Sequence, residues 1–177
     1  MKREYLGDSY DAVKRLWQQV LLDWAPLYAE PRFIPKDIQD EFSCLTCIPM
    51  LSEAPSEPYS ILNDPDTGIR LPAERNQVES RTHITLRTIR DQLQRPGLRV
   101  VITYDQSDYR QSDLTREQQR HAKMRCLAEA GRFPFYYVSH APFLFAFPEV
   151  ESEQSLRERL RSFGIPGSRL EPYERSG

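Results

Sequence analysis

Asp8, Asp64 and Asp105 stand in three short blocks, GDSYD (7–11), DPDTG (64–68) and YDQS (104–107). Each follows a stretch that reads as a strand: REYL before the first, SILN before the second, VVITY before the third. A fourth apolar stretch, FYYV, ends in Ser139 and His140. In open α/β sheets ligands bind beyond the carboxyl ends of the strands. If these strands run parallel, the polar groups share one edge. Converging carboxylates raise one another's pKa unless a cation joins them, and hard cations such as Mg²⁺ or Mn²⁺ take oxygen ligands. The pattern predicts a metal-dependent enzyme processing phosphodiesters or nucleotides. Asp8, Asp64 and Asp105 would be the metal ligands, Asp105 and His140 the catalytic pair, and His140 the acid or base.

Structural roles compete for each residue. Asp8 before a helix is an N-cap. Asp105 at a strand end can bond its own backbone. His140 among aromatics can be a satisfied core histidine. In DPDTG, proline at the second position and glycine at the end fit a tight turn, with ILN and IRL paired as a β-hairpin over residues 59–72. Together these readings describe a non-catalytic binding or regulatory module. A third comes from likeness: an acidic residue and a proline ending a mid-domain strand resemble the fourth motif of nucleobase amino-methyltransferases. Here the third residue is Asp66, no aromatic follows, and the glycine-rich S-adenosylmethionine loop is missing. That likeness implies a degenerate methyltransferase-like domain.

Other motifs narrow the chemistry. Cys44 and Cys47 form C-x-x-C inside the apolar run FSCLTCIPML, so they read as buried free thiols rather than half a zinc site, and no zinc site is expected. No P-loop or G-x-G-x-x-G fingerprint is present. Arg116, Arg120 and Lys123 fall on one helical face; it can contact the phosphates of a nucleotide or nucleic acid, or lie solvated.

These residues need elements to hold them. Val13, Leu16, Trp17, Val20, Leu21 and Trp24 recur at helical spacing after a cap at Asp8 or Ser9, and Pro26 ends that helix. Residues 42–51 read as an interior strand and 98–106 as the best strand signal. Residues 80–94 read as a helix stopped by Pro96-Gly97, and 114–130 as a helix closed by Gly131. FPFYYVSH and PFLFAF read as two strands or one bent strand. A helix with Leu156, Leu160 and Phe163 inward follows, then a strand near Arg169 and Leu170, with the tail frayed from about 171. Strands alternating with helices predict a single α/β domain over residues 1–177, with a largely parallel sheet flanked by helices.

The bulk numbers agree with that. A chain of 177 residues, 39% hydrophobic and 28% charged, suits one globular domain. A net charge of −2 gives no field that gathers nucleic acid or anionic lipid. An odd cysteine count of 3 argues against a disulfide framework. No signal-peptide or membrane-spanning run is evident, which predicts a cytoplasmic protein without a membrane partner. With its GDSYD, DPDTG, YDQS and YVSHAPFLF blocks, the chain resembles a group of uncharacterised bacterial proteins that share them in this order across nearly the whole length. The resemblance implies an outline and no activity.

Overall fold

A computed structural model describes residues 3–56, 58–71, 80, 82–106 and 113–174. The helix after GDSYD forms as α1 (Ser9–Leu21) with Asp8 as its N-cap, and it buries Trp17, Val20 and Leu21. Ahead of it, residues 3–5 make a 3-10 turn rather than a strand. The proline-punctuated stretch that follows α1 contains a short strand, β1 (Leu27–Ala29).

Residues 42–51 are not an interior strand. Helix α2 (Gln39–Thr46) covers most of that run, and Cys47 ends it in the left-handed region with φ 60. The period decides this: the residues α2 buries are Phe42 and Thr46, four apart, while Leu45 is exposed. Asp40 and Glu41 in the first turn suit the positive end of a helix. Cys44 and Cys47 are both exposed free thiols, not buried ones.

The rest of the chain supplies β2 (Tyr59–Asn63), β3 (Gly68–Ile69), β4 (His83–Ile84), α3 (Leu86–Gln92), β5 (Leu98–Tyr104), α4 (Arg116–Glu129), β6 (Phe133–Tyr137), β7 (Phe143–Phe147), α5 (Val150–Ser162) and β8 (Leu170–Pro172). Thr85 caps α3, so the helix expected over 80–94 begins later, after a short strand. Thr115 caps α4 in a capping box with Gln118. Phe163, expected inward, is exposed beyond α5. The tail is held further than expected: β8 pairs with β6, and Tyr173 N donates to Pro134 O.

Six strands form one sheet in the order β1-β2-β5-β7-β6-β8. β1, β2 and β5 pair in parallel, whereas β7 is antiparallel to both β5 and β6, and β8 is antiparallel to β6. Hence β1, β2, β5 and β6 share a direction, and their carboxyl ends share one edge. The predicted single α/β domain with a largely parallel sheet is what forms, its parallel block finished by an antiparallel hairpin. Helices cover both faces. Trp17, Phe42, Leu156 and Leu160 of α1, α2 and α5 pack with Val100, Ile102 and Phe145 on one face. Ile89, Met124 and Leu127 of α3 and α4 pack with Ile61, Val101 and Leu144 on the other. Strands buried on both faces explain their near-continuous apolar sequences. A register shift between Tyr59 and Ser60 lets Leu98 and Val101, three apart, join the same cluster.

The hairpin expected over 59–72 does not form. β3 leaves β2 and pairs in parallel with β4, Gly68 opposite His83. The glycine of DPDTG serves a close approach instead of a turn closure. A Cβ on Gly68, whose φ is +123, would lie 2.6 Å from Asp105 Oδ1 and 2.9 Å from the backbone of Asp105 and Gln106. Among the described residues no helix is long and apolar enough to cross a membrane.

Candidate functional site

A half-open cavity of about 370 Å³ lies at the carboxyl ends of β2 and β5. Asp8, Tyr10 and Lys14 come to it from the start of α1, Asp64 to Thr67 from the segment after β2, and Tyr104 and Gln106 from the end of β5. Two of the three predicted metal ligands, Asp8 and Asp64, therefore share a cavity wall. Asp105 and His140 are not among the residues lining it.

GDSYD and the lysine after it form one local unit. Asp8 Oδ1 accepts from the backbone N–H groups of Tyr10 (2.8 Å) and Asp11 (3.2 Å). Asp11 Oδ2 accepts from Gly7 N at 2.7 Å, which needs the positive φ of 79 that glycine adopts freely. Lys14 Nζ then donates to Asp11 Oδ1 at 2.9 Å and to Asp64 Oδ2 at 2.8 Å. All three side chains are at most 5% exposed. Burial alone would push the Lys14 ammonium down, but the Asp64 and Asp11 carboxylates outweigh it and hold its pKa above the ordinary 10.5. Lys14 is a fixed ammonium here, not a nucleophilic amine. Burial, then Tyr10 and Asp64, push the Tyr104 phenol well above its ordinary 10. It remains a neutral hydroxyl at the cavity wall.

Asp105, one strand over, belongs to a sealed cluster. Lys123 Nζ donates to both of its carboxylate oxygens at 2.8 Å. Tyr136 OH donates to Oδ2 at 2.6 Å and Ile69 N to Oδ1 at 2.9 Å. The Asp105 and Lys123 side chains are 0% and 2% exposed. Burial and the adjoining Asp105 carboxylate drive the Tyr136 phenol well above 10. One carboxylate thus joins β5 to β3, α4 and β6, and both its oxygens are engaged by the protein.

His140 occupies the turn between β6 and β7. It is exposed, and its ring stands 5.7 Å from that of Tyr10. Its neighbour Ser139 is engaged with the backbone of Ala141, and Ser107 lies outside the described residues. Of the basic face expected on α4, Lys123 is buried on Asp105 and Arg120 is held at 2.7 Å by Glu171, while Arg116 is exposed. Among the described residues no group of three or more His, Cys, Asp or Glu is placed to hold a metal ion.

Residue type and spacing alone do not single out Lys14, Asp11 or Tyr104. The signal for Lys14 is present: it lies on the stripe that buries Trp17, Gln18 and Leu21. A lysine on the apolar face of an amphipathic helix needs a buried partner, and Asp64 is that partner. The same signal marks Lys123, which shares the buried stripe of α4 with Gln119 and Leu127. No protein-family model, curated protein or solved structure matches the chain.

Proposed function

We propose that the cavity beside α1 is the working site, and that it takes a small ligand bearing an amine next to a flat ring. The observation that carries this is its charge. Among the described lining residues Asp8 and Asp64 stand with one lysine, and that lysine is shared between Asp64 and Asp11. Such a wall disfavours a bare phosphate or carboxylate and favours positive charge or amine donors. Tyr5, Tyr10 and Tyr104 add aromatic surface, which attracts cations through the ring faces. The volume, about 370 Å³, suits a small molecule. Lys14 positions the Asp64 carboxylate at the wall. In the amino-methyltransferase motif that Asp64-Pro65 resembles, the acidic residue also meets an amine. The resemblance supports amine binding; methyl transfer lacks its glycine-rich loop.

A second reading keeps the enzyme. Asp8 and Asp64 share this cavity, and Mg²⁺ commonly takes one or two protein carboxylates and completes its shell with water and phosphate oxygens. These two residues would hold Mg²⁺ or Mn²⁺, which when bound would polarise a phosphoryl oxygen in a phosphodiester or nucleotide.

Titration calorimetry with phenethylamine, and separately with MgCl₂ and MnCl₂, distinguishes the readings. Saturable amine binding, weakened roughly tenfold or more in Asp64→Asn, is expected. Amine binding that is absent, or untouched by Asp64→Asn, contradicts the first reading. Metal binding lost in both Asp8→Asn and Asp64→Asn would establish the second in its place.

A further inference from the structure

Three phenol rings line the acidic cavity: Tyr5, Tyr10 and Tyr104. The rings of Tyr10 and Tyr104 stand at 90° to each other, with centroids 5.5 Å apart. Each is flanked by a further ring: His140 lies 5.7 Å from Tyr10, and Phe143 lies 5.7 Å from Tyr104. Tyr5 lines the same space while 51% exposed. Burial first, then Tyr10, keep the Tyr104 phenol protonated, and its side chain is hydrogen-bonded to that of Tyr10.

The carboxylates of this wall are partly engaged. Asp8 Oδ1 accepts from two backbone N–H groups, and Asp64 Oδ2 accepts from Lys14 at 2.8 Å. Their charge is not cancelled, however. Asp8, Asp11 and Asp64 stand against Lys14 alone, three negative charges against one positive. A primary ammonium entering here brings three N–H donors, and each must find an acceptor or lose the bond it had with water. A quaternary ammonium brings no donors. It needs negative charge nearby and ring faces around it, and the rings attract it within about 6 Å of their centroids.

We propose that the cation this cavity selects is a methylated, quaternary ammonium next to a flat ring, with Tyr10 and Tyr104 as two walls of its cage and Tyr5 as a third. The inference rests on the amine-binding reading of the cavity and narrows it. The perpendicular setting and short separation of Tyr10 and Tyr104 let one trimethylammonium head touch both rings. Asp8 and Asp64 supply the compensating charge without a hydrogen bond to the ligand.

Calorimetry on the full chain compares phenethylamine with its N,N,N-trimethyl derivative. Both carry the same ring and one positive charge at neutral pH, so the comparison isolates methylation. The trimethyl form should bind roughly tenfold more tightly. Tyr10→Phe should keep that ratio, because the ring stays, and Tyr10→Leu should bring it close to one. Tyr5→Leu, at a half-exposed position, should lower it about threefold and serves as the test if Tyr10→Leu does not fold. Asp64→Asn should weaken both probes alike. If the two probes bind equally, or the primary amine binds more tightly, this inference falls while the amine-binding reading stands. If neither binds, both fall. A trimethyl preference unmoved in every leucine variant that folds would place its origin outside the three tyrosines and overturn the cage.

Discussion

Asp64 and Asp105 end neighbouring strands, and each is neutralised by one lysine from a helix. There the similarity stops. Asp64 meets Lys14 at the wall of a cavity, within a unit that also holds Asp11. Asp105 meets Lys123 in a closed cluster with Tyr136 and the backbone of β3. One pair is buried beside open space and the other inside packing. A strand-end aspartate is therefore two different devices, and the neighbour decides which. Where β3 and α4 close over the strand end, the carboxylate becomes a clasp. Where α1 brings a lysine beside a cavity, it becomes a wall.

Stability separates the two first. Removing one partner of a buried ion pair costs about 3–5 kcal/mol, because the other charge stays behind in low dielectric. Asp105→Ala should show that loss in denaturant unfolding, while Asp64→Ala costs about 1–3 kcal/mol, since Lys14 keeps Asp11 and water can enter from the cavity. Equal losses would erase the distinction. Gly68→Ala comes next. Its Cβ would press on the Asp105 carboxylate and on the Asp105–Gln106 backbone, and overpacking with a left-handed φ costs about 2–4 kcal/mol. A neutral Gly68→Ala would mean that β3 does not need its close approach to β5.

Alkali tests both clusters, with a smaller expected effect. Lys14 and Tyr136 have folded-state pKa values raised above 10.5 and 10.0. Each holds its proton more tightly folded than unfolded, so its contribution is fully present below about pH 10 and is lost as pH climbs from there through the raised values. Melting temperature should fall above about pH 10, and Tyr136→Phe should flatten part of that fall. A melting temperature constant to pH 11.5 would contradict the burial assigned to both groups.

The sequence carried the α/β alternation, the capped α1, the strand β5 and the edge at which chemistry gathers, because each rests on local periodicity or on strand-end position. It carried less of the site. Asp105 and Asp64 have the same local signature, and only the packing of β3 and α4 tells them apart. The DPDTG hairpin failed for a similar reason. Its glycine fits a turn closure, but the constraint on it comes from Asp105, thirty-seven residues away. α2 was lost in an apolar run whose buried period is four. A lysine on the buried stripe of α1 and another on that of α4 each mark their aspartate.

The most direct test is amide chemical-shift mapping with phenethylamine. Shifts should gather at residues 8–14, 64–67 and 104–106, with Lys123 and Tyr136 silent. Shifts centred on Lys123 and Tyr136, or none at millimolar amine, would show that the Asp64–Lys14 wall is no more a binding site than the Asp105 clasp.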